Sequence, residues 1–232
     1  PGTLERYNDC VVKLVTTLNK RIQDINTNDI RYYLAVYQEQ RKISMSYLDT
    51  IRRYLSSFFA WVSDEGYISR NPMRRLKKIK VPKMIKKPFT QAEMEHLRCN
   101  AECQRDIAIM AFLYSTAARI GEVVRLNRKD IDWGNKEVII YGEKGKKERR
   151  VYLTDDCAYH LHKYLLSRDD TNPALFVSNK KPHTRLGKQA IQSMLRTLGQ
   201  KTEIHAHPHK FRRTLLTDAG NRGIPLQEIQ MY

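Results

Sequence analysis

The sequence predicts a mainly α-helical protein carrying one small antiparallel β-sheet and organised as two domains. Three observations predict it. Apolar residues recur at helical spacing through most of the chain. Only one pair of short alternating runs, residues 138–141 and 149–153, reads as strands, and a lysine-rich turn joins them. Between the two helical halves, Arg74 to Lys87 contains eight cations and no acidic residue, with prolines at 82 and 88. At 232 residues the chain is long enough for two domains, each with its own core. The expected division is a helical domain over 1–76, a basic linker over 77–88 and a larger α+β domain over 89–232.

In the first domain, Leu4, Val11, Val12, Leu14, Val15 and Leu18 mark one helix. Asn28 and Asp29 then offer a cap and first turn to a second helix through Ile30, Tyr33, Leu34 and Tyr37. Ser46 precedes a third, with Leu48, Ile51, Leu55, Phe58, Phe59 and Val62 on one stripe, and Gly66 ends it. Asn71 and Pro72 mark a turn. Tyr32, Tyr33, Phe58, Phe59 and Trp61 could stack on bases, but their spacing is that of core residues. The linker cations are Arg74, Arg75, Lys77, Lys78, Lys80, Lys83, Lys86 and Lys87. Prolines keep such a strap extended, and its charges can follow a phosphate backbone without reading sequence; the other reading is a solvated spacer.

The second domain opens at Thr90, which has capping-box spacing with Glu93. A helix through Ile107, Met110, Phe112 and Leu113 runs into Thr116, and Arg119 begins a new turn or helix. After the hairpin, Cys157, Leu161, Tyr164 and Leu165 pattern as a helix, residues 175–177 as an extended piece, and Ile191 to Leu198 as a helix ending at Gly199. Pro208 then suits the first turn of a helix continuing through Phe211, Leu215 and Leu216 to the glycines at 220 and 223. A last helix is expected from Pro225 through Leu226, Ile229 and Met231.

Charge narrows the function. Forty-two Lys and Arg stand against 25 Asp and Glu, a formal net charge of +17, which points to a polyanionic partner, nucleic acid first. No apolar run approaches transmembrane length and no signal core is visible, so no membrane role and a cytoplasmic location are expected. Cys10, Cys99, Cys103 and Cys157 form no Cys-x-x-Cys pair and no ligand set with histidine, so neither a metal nor a cofactor is expected. Cys99 and Cys103, four apart, could share a helix face.

The segment His207 to Thr214 concentrates chemistry. His209 and Arg212, at i and i+3, share a helix face, placing a permanently charged fork beside a titratable imidazole. A phosphodiester fits that pair; a basic surface helix without chemistry fits it too. Two further segments carry isolated polar residues: Arg119 with Glu122, and Lys144 at the hairpin tip.

This ordered set resembles the tyrosine recombinase (phage integrase) family. Thr116, Ala117, Ala118, Arg119 and Glu122 match its Thr-Gly-x-Arg-x-x-Glu motif, with Ala117 in place of the usual glycine. Lys144, Gly145, Lys147 and Arg149 line up with its Gly-Lys-Gly-x-Lys-x-Arg hairpin, Lys146 and Lys147 remaining alternatives for the lysine. His209 and Arg212 match its His-x-x-Arg motif, with Phe211 and Arg213 at positions usually leucine and histidine.

The resemblance implies a SAM-like helical core-binding domain in front of a mixed α+β catalytic domain. It also implies site-specific cleavage and rejoining of double-stranded DNA through a covalent 3′-phosphotyrosine, by a tetramer on paired sites, in the integration or excision of a bacterial or phage mobile element. Arg119 and Arg212 would clamp the non-bridging oxygens and Lys144 would protonate the leaving 5′ oxygen. His209 would assist proton transfer at the nucleophile or hydrogen-bond the phosphate, and Glu122 would orient a cation. The family's nucleophilic tyrosine lies about thirty residues beyond the second arginine. Tyr232 comes only 20 after Arg212 and is not assigned that role, so the nucleophile is expected beyond residue 232. Tyr7, Tyr114, Tyr152 and Tyr164 fit packing patterns. The alternatives are a DNA-binding relative without chemistry and a type IB topoisomerase-like enzyme.

Overall fold

Several helices start where a side chain accepts one of their first free N–H groups. In the computed structural model, which describes residues 2–82, 85–142, 148–225 and 227, helix α1 spans Gly2–Leu18. Helix α2 (Thr27–Arg41) is capped at Asn26, not Asn28. Asn26 accepts from the backbone N–H of Asn28 and Asp29, and the Asp29 carboxylate accepts the Asn26 N–H at 3.0 Å. The acid three residues on selects the cap. Helix α3 (Met45–Asp64) likewise starts two residues earlier than the spacing suggests, with Ser44 Oγ accepting the Tyr47 N–H. Gly66, at φ +78°, supplies the left-handed residue after its last turn.

These helices enclose a core of Leu14, Ile30, Tyr33, Leu55 and Phe59. Tyr32 and Trp61 depart from the packing expectation, being 61% and 53% exposed. Neighbouring helix positions point about 100° apart, so burying Tyr33 turns Tyr32 outward. The basic stretch is anchored to this core, since Met73, Leu76 and Ile79 pack on it. Buried Asp49 accepts a hydrogen bond from the Ile79 backbone and pairs with Arg52 at 2.8 Å. The described linker cations Arg74, Arg75, Lys77, Lys78, Lys80, Lys86 and Lys87 are all exposed, and Lys83 lies outside the described residues.

The chain divides within this stretch into two compact units, Pro1–Ile85 and Lys86–Tyr232. In the second, α4 (Gln91–Cys99) carries the Thr90–Glu93 capping box, with hydrogen bonds of 2.7 and 3.1 Å. Helix α5 (Gln104–Thr116) is the hub. Residues 108–113 along it are buried on every side, between the later helices and the sheet, which is why its sequence shows little amphipathic period. Cys99 ends α4 and Cys103 caps α5, so the two do not share a helix.

A four-residue helix α6 (Ile120–Val123) follows, then strands β1 (Ile131–Asp132), β2 (Glu137–Tyr141) and β3 (Glu148–Tyr152) in that spatial order, all antiparallel. Two-residue β1 is too short to show alternation, so the sequence pattern does not reveal it. The register pairs Val138 with Val151 and Ile140 with Arg149, so these four share the face turned to the core. Tyr152 lies on the other face, 53% exposed, contrary to the packing role its pattern suggests.

Helices α7 (Asp155–Leu166), α8 (Lys188–Lys201) and α9 (Pro208–Asn221) complete the unit. Where an extended piece is expected, residues 175 and 176 bend between two isolated bridges, from Asn127 to Ala174 and from Val177 to Arg185. Helix α8 continues through Gly199, where the expected end stood. A Cβ there would sit 2.5 Å from the Ile204 carbonyl oxygen, so the glycine permits close approach instead of stopping the helix. Leu226, Ile229, Met231 and Tyr232 lie outside the described residues. Among the described residues no helix is long and apolar enough to cross a membrane.

Candidate active site

The site begins where α5 stops. Ala117 adopts left-handed geometry, φ 49° and ψ 23°, with its side chain fully buried. The Thr116 hydroxyl donates to the Phe112 carbonyl at 2.7 Å and accepts the Ala118 N–H at 3.2 Å. This turn delivers Arg119 to the cap of α6, where the Glu122 carboxylate accepts its backbone N–H at 2.8 Å.

Glu122 is the electrostatic centre. Its side chain has no solvent exposure, yet it takes Arg119 Nη1 at 3.2 Å and both terminal nitrogens of Arg149, at 3.0 and 2.6 Å. Burial pushes the carboxyl upward, but the hydrogen bonds from Arg149 and from the Arg119 backbone outweigh it and hold the group below its ordinary value. The site therefore keeps a buried carboxylate ionised.

Arg212, on the second turn of α9, donates to the Ala117 carbonyl from Nη1. Burial lowers its pKa first, and the neighbouring guanidiniums of Arg119 and Arg149 lower it further, Glu122 acting in the opposite sense. Three guanidiniums thus face one carboxylate, leaving an excess of positive charge with half of the Arg119 side chain, 49%, open to solvent. An anion is what that excess can bind.

His209 sits exposed at the start of α9, beside a cleft of about 590 Å³ lined also by Ile120, Gln189, Gln192, Arg196 and His205. His207, the α9 cap, lies between two imidazoles, its ring centroid 5.2 Å from His205 and 6.5 Å from His209. Burial, then His205, Arg213, His209 and Lys86, push His207 down to about 4, so it is neutral near pH 7. Lys144 and its alternatives Lys146 and Lys147 lie outside the described residues.

The structure thus brings Arg119, Glu122 and Arg212 together and places His209 at the adjoining cleft. Arg149 is the participant that sequence reasoning named only as a motif position. Its signal was present in the alternation, because an arginine opposite Ile140 on the core face of a hairpin requires a buried acid. Lys210 was also passed over. It is 9% exposed, lies 4.1 Å from the centre of the Phe89 ring and pairs with Glu93 at 3.5 Å, which fixes the first turn of α9 against α4.

Comparison with known proteins accords with this architecture. The model of the phage integrase family matches residues 87–232, and that of the phage integrase N-terminal SAM-like domain matches residues 1–68. The chain belongs to the phage integrase family. Its relatives within that family are tyrosine recombinases. XerA of Pyrococcus horikoshii is 27% identical over 188 residues, 81% of this chain and 64% of the relative. XerC of Oceanobacillus iheyensis is 29% identical over 225 residues, 90% of this chain and 72% of the relative. Against the first of these, the chain spans a little under two thirds of the relative's length.

Solved structures agree on the fold. The crystal structure of XerA recombinase aligns with TM-score 0.58 at 27% identity, over 99% of this chain and 81% of that one. A lambda integrase(75–356) dimer bound to a COC′ core site aligns with TM-score 0.80 at 17% identity, covering 99% of this chain and 86% of that one. The Tn1549 transposon integrase, in complex with transposon right end DNA, aligns with TM-score 0.77 at 18% identity, over 97% and 84% of the two chains.

Proposed function

We propose that this protein is a site-specific DNA recombinase, which cleaves and rejoins duplex DNA through a covalent 3′-phosphotyrosine. The observation that carries this reading is the convergence of Arg119 and Arg212, from separate helices, on one buried carboxylate and one carbonyl turn. A phosphodiester under attack gains negative charge on its non-bridging oxygens, and fixed guanidinium forks stabilise that charge without reorganising. Arg119 and Arg212 form the clamp in this mechanism. Lys144 donates the proton to the leaving 5′ oxygen, and His209, exposed at the cleft, assists proton transfer at the attacking tyrosine. Glu122 orients Arg119.

The partner is double-stranded DNA at paired recombination sites, held by a homo-tetramer in the cytoplasm at the nucleoid. The helical first unit and the exposed basic strap grip the core site, and the biological setting is integration or excision of a mobile element. The relatives' designation as tyrosine recombinases and the exposure of the described strap cations support this.

The test is a denaturing gel of the full-length protein with cognate-site DNA carrying a nick that traps cleavage. A DNA-linked band is expected, and Arg212→Ala should reduce its rate of appearance by at least about 100-fold while leaving salt-sensitive binding in place. Tight binding with no linked band from the wild type would leave a DNA clamp without chemistry and overturn the proposal.

A further inference from the structure

Resting on that reading, we infer that Arg149 is a positioning residue for strand cleavage, acting on Arg119 through the carboxylate the two share. Both terminal nitrogens of Arg149 are committed to Glu122, at 3.0 and 2.6 Å, and its side chain is only 16% exposed. Its fork is therefore turned to the carboxylate, while the half-exposed Arg119 is the guanidinium that solvent, and so DNA, can reach. Glu122 distributes its two oxygens between them. Oε1 takes Arg119 Nη1 and Arg149 Nη1, and Oε2 takes the Arg119 N–H and Arg149 Nη2. Rotation of the carboxylate would break hydrogen bonds to both arginines, so the bidentate grip from β3 fixes the orientation of Arg119.

The location of Arg149 gives this grip a second consequence. It lies five residues after Lys144 in sequence, on the strand paired with β2. One side chain thereby ties β3 to the cap of α6. Glu122 is faced by Arg119 from the start of α6, by Arg149 from β3 and by Arg212 from α9. Removing the closest of these cations makes the carboxylate easier to protonate, and a neutral carboxyl orients Arg119 poorly.

The experiment compares wild type, Arg149→Lys, Arg149→Met, Glu122→Gln and the Arg149→Met/Glu122→Gln double variant of the full-length protein. It measures single-turnover formation of the DNA-linked species on nicked cognate DNA between pH 5 and pH 8, together with DNA affinity and thermal unfolding. Arg149→Met is expected to slow cleavage by about 10- to 100-fold with affinity changed by less than about threefold. Arg149→Lys, which keeps the charge but not the second hydrogen bond, should recover part of the rate at pH 8 and move the acid limb of the profile to higher pH. The double variant should be no slower than Glu122→Gln alone, because the arginine acts through the acid.

If Arg149→Lys folds as the wild type does and its rate and acid limb are unchanged, the positioning role is wrong. A double variant whose rate losses multiply would also overturn it, since Arg149 would then act independently of Glu122. Absence of a linked band from the wild type is a different result, and it removes the recombinase reading itself.

Discussion

Ala117 shows how one residue can set the geometry of a reactive turn. A Cβ in the left-handed region costs about 1–2 kcal/mol, which glycine avoids. Here the alanine methyl is fully buried, and its burial returns about 0.8 kcal/mol. The two effects nearly cancel, so Ala117→Gly should change stability by less than about 1 kcal/mol. Ala117→Val should behave differently. A β-branched side chain is strained at φ 49°, and the site is already fully buried, so a loss of roughly 2–4 kcal/mol is expected, read as a lower unfolding temperature. The carbonyl of residue 117 receives Arg212, so the valine variant should also slow cleavage at temperatures where it stays folded. A valine variant as stable as the wild type would show that this turn is not held in the left-handed region.

At the scale of the element, Gly199 makes the complementary argument. Its absent side chain lets the Ile204 backbone return against α8, with the Ile204 N–H donating to the Gly199 carbonyl at 2.9 Å. That return leads directly into His205, His207 and the start of α9. Gly199→Ala gains up to about 1 kcal/mol of helix propensity but forces a backbone shift worth about 1–3 kcal/mol. The net expectation is a destabilisation of about 1 kcal/mol, visible in thermal unfolding; a stabilised variant would contradict the close approach. The same glycine explains a boundary misread from sequence, because a glycine at a helix end and a glycine inside a helix under a crossing chain look alike in one dimension. The caps at Asn26 and Ser44 are hard to place from sequence for a related reason, each segment offering more than one cap-type residue. The capping box at Thr90, with one candidate and one acid at the right spacing, was legible. So were Arg119, Glu122 and Arg212, which stand in fixed local spacings. The alternation marks Arg149 as needing a buried acid, but that the acid is Glu122 was not legible, since the pair spans 27 residues of chain.

For the whole molecule, the +17 charge matters less as a total than as a distribution. In the basic stretch the apolar residues Met73, Leu76 and Ile79 turn to the core of the first unit, while Arg74, Arg75, Lys77 and Lys78 face solvent. This is the pattern of a strap fixed by its apolar positions and free to place its cations along phosphates. Each phosphate neutralised by a cation releases condensed counterions, and contributes about 0.9 to the steepness with which log K falls against log salt. Replacing these four cations with glutamine should therefore flatten the slope by up to about 3.6 and weaken binding to cognate and unrelated duplex by similar factors. Folding should be unaffected, because none of the four side chains is buried. Titrations of both duplexes between about 50 and 200 mM salt, a range over which proteins neutralising several phosphates change affinity by about 10³–10⁵, would measure it. An unchanged slope would mean that the strap is a solvated spacer and that the phosphates are neutralised elsewhere on the protein. Weakening confined to the cognate duplex would instead make these residues readers of sequence, which flexible point charges along a backbone are poorly suited to be.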